Sequence, residues 1–376
     1  MGDQDACWVK AHALFELVQF ADREQAKRML AQSLALARKA GNRWMVWVAL
    51  YSQGWMALDG DSPGEARQLF QESLATIRDL GIPGVPALVL TTLARLERLQ
   101  GRATQAEEEM REAVADYQAV GDWAGVARSL HLLAFLWVTQ SQYAQARSLV
   151  EQSVSIREEL GYREDVAEPL TTLGICAMHL GEYEQAHLRF HASLNIAREF
   201  NQRREVARAL CCLGAEALAR EAYGEAQDWI QQSLVFYQGS ESTSLSEYPV
   251  ELAWTLACLG IAERALGHPQ AALEHLRAAL PLAARMREDP IVTATTLGGM
   301  ALTCMDNGHG ERATALYALA SQEAGPSRWW YDVVGRHVQG AIAALPPEVV
   351  QMAQQRGRAQ DLWVTARELL EELTSL

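Results

Sequence analysis

Residues Leu173–Leu194, LGICAMHLGEYEQAHLRFHASL, contain the pattern that decides the fold. The stretch has a small residue at Gly174, a turn at Gly181 and an alanine at Ala186. An aromatic residue, Phe190, follows four positions beyond the alanine, and the final leucine lies eight beyond it. Because offsets of four and eight lie on one face of a helix, the stretch predicts two helices joined by a turn.

The same pattern recurs along most of the chain. Its alanines are Ala26, Ala66, Ala106, Ala146, Ala186, Ala226, Ala272 and Ala313. The step between them is 40 residues five times, then 46 and 41. A glycine or alanine stands twelve positions before every repeat alanine except Ala26. A residue this small allows two helices to approach closely. This period predicts an all-α fold, a right-handed superhelical solenoid of about eight helix pairs, each packed on the next.

The period also sets the expected domain boundaries. The predicted repeats are 8–40, 41–80, 81–120, 121–160, 161–200, 201–246, 247–287 and 288–324. Residues 325–376 depart from the period and predict helices that cap the open end of the stack. The serine-rich stretch 239–247 coincides with the 46-residue step. We interpret it as a tolerated insertion, with a lid or a partner-binding loop as the alternative.

Composition excludes several classes of function. The chain has 376 residues and a net charge of −14, so a nucleic-acid backbone would be repelled. It contains no run of eighteen apolar residues and no signal peptide, which predicts a cytoplasmic protein without membrane contact. Its six cysteines lie mostly inside helical patterns and lack C-x-x-C spacing. They are therefore predicted to be reduced packing residues.

The repeating unit is similar to the tetratricopeptide repeat. Gly174, Ala186, Phe190 and Ser193 match the small residue, alanine, aromatic residue and second small residue of that family. The unit departs from the family at its end, where Arg198 replaces the usual proline, and its period is about 40 residues instead of 34. The resemblance implies a protein-binding fold in which the first helix of each pair lines a concave groove.

The C-terminal segment carries a second resemblance. Met352-Ala353, Gly357-Arg358-Ala359 and a helix with Ala366 and Leu369-Leu370 resemble the end of the repeat region in MalT-like STAND signalling ATPases and transcription regulators. This resemblance implies a bacterial sensor domain in signal transduction. A phosphate-binding loop needs a lysine, and the last lysine here is Lys39. We therefore expect an excised sensor whose partner is an NTPase or output domain of the full-length protein.

The groove positions implied by the first resemblance carry cationic and aromatic side chains. The candidate ligand-binding residues are Tyr51, Trp55, Arg95, Arg98, Arg128, His131, Phe135, Arg208 and Trp254. Guanidinium groups suit carboxylates or phosphates, and aromatic walls suit apolar or planar groups. Alternatively, the arginines pair with Glu or Asp of neighbouring helices.

No pattern in the chain indicates catalysis, and we expect no enzymatic activity, metal or cofactor. His187 and His191 are four apart on a helix but have no third metal ligand nearby in the sequence. Cys211 and Cys212 point about 100° apart on a helix, which prevents them from acting together. These histidines and cysteines are predicted to be ordinary helix residues.

Three functional hypotheses remain. The first is a recognition module that binds a peptide or protein segment, or alternatively a small anionic molecule, in the groove. The second is a free-standing scaffold or self-associating solenoid, because a first repeat without a cap would expose Trp8, Phe15 and Trp47. The third is a peptide-pheromone receptor that pairs long repeats with a DNA-binding domain.

Overall fold

The computed structural model describes residues 3–60, 62–238, 249–284 and 290–374. Within these residues every regular element is a helix, which confirms the predicted all-α repeat fold. The chain divides into two compact units, Met1–Leu133 and Ala134–Leu376, called unit 1 and unit 2 below. The serine-rich stretch 239–247 lies outside the described residues.

Unit 1 consists of consecutive helix pairs. Its helices are α1 (Asp3–Leu17), α2 (Arg23–Lys39), α3 (Arg43–Asp59), α4 (Pro63–Leu80), α5 (Val85–Leu99) and α6 (Ala103–Ala119), and α7 (Trp123–Thr139) begins in this unit. The helices α1 and α2, α3 and α4, and α5 and α6 pack as pairs. Each pair is the predicted helix, turn and helix.

Unit 2 continues the pattern and then departs from it. Its paired helices are α8 (Tyr143–Glu159), α9 (Ala167–His179), α10 (Tyr183–Glu199), α11 (Arg203–Ala219), α12 (Tyr223–Gln238), α13 (Pro249–Ala265), α14 (Pro269–Ala283), α15 (Pro290–Asp306) and α16 (Gly310–Ala324). A bent helix follows, made of α17 (Arg328–Trp330), a π turn (Tyr331–Gly335) and α18 (Arg336–Ile342). The last helices are α19 (Pro347–Ala359) and α20 (Leu362–Thr374).

Where the small residue of a repeat is glycine, the large residue of the partner helix leaves no room for a side chain. A Cβ atom on Gly174 would lie 2.4 Å from Cε1 of Phe190. The equivalent Cβ on Gly54 would lie 2.5 Å from Cε1 of Phe70. Both contacts are closer than van der Waals packing allows, so a side chain here forces the two helices apart.

In several pairs a buried serine joins the second helix to the first helix of the same pair. Ser193 Oγ donates to the carbonyl oxygen of Ala167 at 2.7 Å, and Ser233 Oγ donates to that of Ala207 at 2.8 Å. Ser33 makes the same bond to Ala11 in unit 1, at 2.8 Å. Each serine donates a hydrogen bond to a buried carbonyl oxygen and is small enough to fit between the two helices. Both properties explain the small residue seven positions after the repeat alanine.

The cysteines agree with the prediction that they are packing residues. All six cysteines are free thiols and five are buried, as predicted. Burial raises the pKa of the Cys176 thiol to about 12, so it is an unreactive packing residue.

The tryptophans expected to be exposed in the first repeats differ in burial. Trp8 is exposed as expected, but the expectation for Trp47 is wrong because its side chain is buried. Among the described residues, none of the helices is long and apolar enough to span a membrane.

Candidate binding surfaces

The first helices of unit 1 present a partly exposed aromatic wall. On α3, the rings of Tyr51 and Trp55 lie 6.3 Å apart and nearly perpendicular. Phe70 of α4 packs under both, at 5.5 Å from Tyr51 and 6.0 Å from Trp55. The hydroxyls of Tyr51 and Thr92 are 3.0 Å apart and link α3 to α5. The wall is therefore held in place before any ligand arrives.

Two of the arginines that the resemblance assigns to the groove of unit 1 are open to solvent. Arg95 on α5 and Arg128 on α7 are both exposed. In the described part of the chain, neither side chain has a carboxylate within ion-pair distance. Internal pairing, the alternative interpretation, is therefore not observed for these two arginines among the described residues. We call Tyr51, Trp55, Arg95 and Arg128 the unit 1 face.

Three other predicted residues contribute less open surface. Arg98 is partly buried and interacts with other residues of the chain. His131 is only 4% exposed and also has an interaction partner. Phe135, which belongs to unit 2, is partly buried. Of the three, only His131 is buried, whereas Arg98 and Phe135 are partly exposed, as Tyr51 and Trp55 are.

Sequence reasoning missed a recurring buried glutamate near the end of the first helix. The glutamates and their two partners are Glu97 with Arg67 and Arg102, Glu216 with His187 and Arg220, and Glu263 with Gln227 and His268. In each set, one partner comes from the preceding second helix and the other from the following turn or the helix end. The signal was a glutamate two or three positions after the repeat's small residue, inside an apolar run.

In unit 2 the predicted arginine is paired. Arg208 of α11 contacts Glu168 Oε1 of α9 at 3.1 Å and Glu205 Oε2 at 3.4 Å. Its side chain is only 12% exposed. The two carboxylates raise the pKa of Arg208 even though its burial acts in the opposite direction. For Arg208 the alternative of internal pairing is therefore the observed arrangement.

The rest of the corresponding side of unit 2 is covered by the chain itself. Trp329 of α17 is fully buried, and its Nε1 donates to the carbonyl oxygen of Ala215 in α11 at 2.6 Å. Its ring lies 4.9 Å from that of Trp254 and 5.9 Å from that of His179. We call His179, Ala215 and Trp254 the unit 2 face. Trp254 thus lines a surface that is occupied by residues 327–335.

Polar contacts hold both ends of this segment. His179 Nδ1 lies 2.6 Å from Ser327 Oγ, and Tyr183 donates its hydroxyl to Asp332 Oδ2 at 2.5 Å. Arg328 Nε donates to the same oxygen at 2.9 Å. Burial lowers the pKa of His179 to about 3, so this imidazole is neutral at physiological pH.

The C-terminal residues therefore do more than cover the end of the stack. In this segment α19 packs on α16, and α20 contacts α14 and α15. Residues 327–335, however, run back to α9, 148 residues earlier in the chain at the Ser327–His179 contact. The adjacent tryptophans Trp329 and Trp330 distinguish this segment in the sequence, but they do not indicate where it docks.

Known proteins share this fold. Residues 86–159 match the family model described as Tetratricopeptide repeat. No curated protein sequence matches the chain. A Rap protein solved in complex with competence and sporulation factor superposes with a TM-score of 0.60 at 13% identity, covering 98% of this chain and 99% of that one. Aspartyl phosphate phosphatase F from Bacillus subtilis gives 0.60 at 14% identity, covering 83% and 81%.

A third similar structure is a signal transduction ATPase with numerous domains (STAND) that carries a tetratricopeptide-repeat sensor, from Pyrococcus horikoshii. The TM-score is 0.52 at 13% identity, with 92% of this chain covered. The match spans 50% of the archaeal chain. At these identities the likeness extends to the helical-repeat fold.

Proposed function

We propose that this chain, a protein of the tetratricopeptide-repeat fold, is a non-enzymatic recognition module that binds an acidic peptide or protein segment on the unit 1 face. The observation that carries the proposal is the exposure of Arg95 and Arg128 in the same unit as the wall of Tyr51 and Trp55. Exposed guanidinium groups on a chain with a net charge of −14 attract carboxylates locally, and the aromatic rings supply apolar contact area.

Repeat geometry supports the placement of these groups side by side. Trp55 and Arg95 occupy the same repeat position on neighbouring first helices, 40 residues apart. In unit 2, Glu168 and Arg208 also share one repeat position 40 residues apart, and their side chains meet at 3.1 Å. Equivalent positions on successive first helices are therefore within reach of one ligand.

The sensor role is the finer part of the proposal. The Rap structure is a complex with competence and sporulation factor, and the STAND protein from Pyrococcus horikoshii carries a tetratricopeptide-repeat sensor. By analogy, the chain would act as the sensor arm of a STAND-type protein, and the ligand would favour one arrangement of its repeats. The partner NTPase or output domain belongs to this proposal.

Peptide titration tests the binding site directly. The probes are short fluorescein-labelled peptides that each carry one aromatic residue and are acidic, neutral or basic. We expect the acidic set to bind most tightly by fluorescence anisotropy. Arg95→Ala and Arg128→Ala should each weaken the affinity by roughly three- to tenfold, because each removes a charge-assisted contact.

Arg111→Ala is the matched control. Arg111 is an exposed arginine on the second helix α6 and pairs with Glu107 at 2.8 Å. Its replacement removes the same charge away from the unit 1 face, so affinity should stay unchanged. Equal losses of affinity in the Arg95, Arg128 and Arg111 variants would show that overall charge causes the effect. That result would remove support for the proposed site.

Self-association is the second candidate function, favoured by exposed apolar residues near the start of unit 1. Trp8, Leu17 and Phe20 are all exposed, and exposed apolar side chains promote association. Sedimentation velocity over a range of concentrations should then show dimers or larger species that Phe20→Ser weakens. A monomer at every concentration would eliminate this candidate.

A further inference from the structure

The α5–α6 pair contains a second carboxyl group near Glu97, the glutamate that forms ion pairs with Arg67 and Arg102. This group is Glu109 of α6, whose Oε1 accepts a hydrogen bond from Gln105 Nε2 at 3.3 Å. Its other oxygen, Oε2, is buried and has no hydrogen-bond partner among the described residues. A buried carboxylate oxygen without a donor is costly, whereas a protonated carboxyl group avoids most of that cost.

The charged groups around Glu109 do not compensate its charge. They are Arg67 on α4, Glu97 on α5 and Arg102 at the start of α6. Both arginines are directed to Glu97, with Arg67 Nε 2.5 Å from Glu97 Oε1 and Arg102 Nε bonded to Glu97 Oε2. Arg67 also donates through Nη2 to Gln105 Oε1 at 3.1 Å. Both guanidinium groups therefore bond Glu97, and among the described residues neither donates a hydrogen bond to Glu109.

This environment favours the protonated form of Glu109. Burial, and after it the charge of Glu97, raises the pKa of Glu109 to about 7, and the hydrogen bond from Gln105 and the two arginines only partly oppose this. An ordinary glutamate has a value of 4.5. The two ionisation states are therefore both populated near neutral pH.

We propose that Glu109 is a proton-operated latch between α5 and α6. When protonated, its carboxyl group packs beside Glu97 and the helix pair is closed. When ionised, the carboxylate is repelled by Glu97 and moves toward water, which loosens α6 on α5. Because α5 also carries Arg95, the latch would tune the unit 1 face; this consequence alone depends on the proposed function.

The direction of the effect follows from the two states. The folded protein holds the proton more tightly than the opened one, so the latch contributes its full stability below pH 4.5. That contribution is lost as the pH rises toward 7 and changes little above it. Between pH 6 and pH 8, the equilibrium constant for local opening should rise by about tenfold.

Hydrogen exchange of the ligand-free protein tests the latch independently of any binding. Amide protection factors of α6, corrected for the intrinsic pH dependence of exchange, should fall by about tenfold from pH 6 to pH 8. Glu109→Gln should hold α6 closed at both pH values. Glu108→Gln, which removes a charge from the exposed neighbouring position, should behave as the wild-type protein does.

A fall of the same size in the wild-type and Glu109→Gln proteins would overturn the proposal. A second measurement applies if the glutamine variant fails to fold. Carbon-13 NMR of the glutamate side chains should give a titration midpoint near 7 for Glu109. A midpoint close to the ordinary glutamate value would equally overturn the latch.

Discussion

The unit 1 face and the unit 2 face differ in whether the chain itself covers them. The unit 1 face has an aromatic wall and exposed arginines, whereas the unit 2 face is covered by residues 327–335 of the same chain. The repeat positions are alike, but Ala215 stands in unit 2 at the position that Trp55 and Arg95 occupy in unit 1. The small side chain of Ala215 leaves room for the buried Trp329, whereas Trp55 and Arg95 fill the equivalent position in unit 1.

The largest expected effect comes from removing the covering segment's anchor. Trp329→Ala deletes a fully buried indole and its hydrogen bond to Ala215, and should destabilise unit 2 by about 3–5 kcal/mol. Hydrogen exchange measured separately over α9, α11 and α13 would report the loss. Protection in α3 and α5 of unit 1 serves as the internal control. A loss below about 1 kcal/mol would show that the segment is only loosely attached.

The next effect is an opposite response of the two units to pH. The pKa of His179 is lowered in the folded protein, so its contribution is present above about pH 6.5 and is lost as the pH falls toward 3. Unit 2 should therefore lose about 2 kcal/mol between pH 7.5 and pH 5. Over the same interval, Glu109 should make unit 1 more stable.

His179→Gln separates this response from general acid effects. The glutamine cannot take up a proton, so the acid-induced loss in unit 2 should disappear while the response of unit 1 persists. The measurement is the amide protection of α9 and α5 at both pH values. An unchanged acid response in the variant would contradict the role of His179.

The smallest effect compares two turn glycines. Gly181 has φ 82° and a Cβ there would lie 2.7 Å from Arg328 Cγ, whereas Gly101 has φ 73° and nothing within 4 Å. Both alanine variants incur backbone strain, but only Gly181→Ala also pushes on the covering segment. Gly181→Ala should be more destabilising by about 1 kcal/mol in urea unfolding. Equal effects would mean that Arg328 moves aside freely.

The repeat fold was predictable because its signals are local. The spacing of Gly174, Ala186 and Phe190 lies within one helix pair, and the contact between Gly174 and Phe190 confirms its meaning. The burial of Trp47 could also have been found, since alanine occupies the position seven before the small residue in every later repeat, as at Ala87. Such positions face the neighbouring helices.

The covered face was not predictable from the same reasoning. Trp329 and Ala215 are 114 residues apart, and a segment outside the period carries no register that shows where it docks. Arg208 illustrates a second limit, because a cationic residue type does not reveal whether its partner is a ligand or a neighbouring glutamate. Here Glu168, at the same position one repeat earlier, was the partner.

One titration tests the difference between the two faces most directly. An acidic, aromatic fluorescein-labelled peptide is titrated with the Arg95→Ala and Arg208→Ala variants, after circular dichroism has shown that both are folded. The account predicts that Arg95→Ala weakens the affinity by roughly three- to tenfold and that Arg208→Ala leaves it unchanged. Full affinity in Arg95→Ala with a loss in Arg208→Ala would contradict it and place recognition in unit 2.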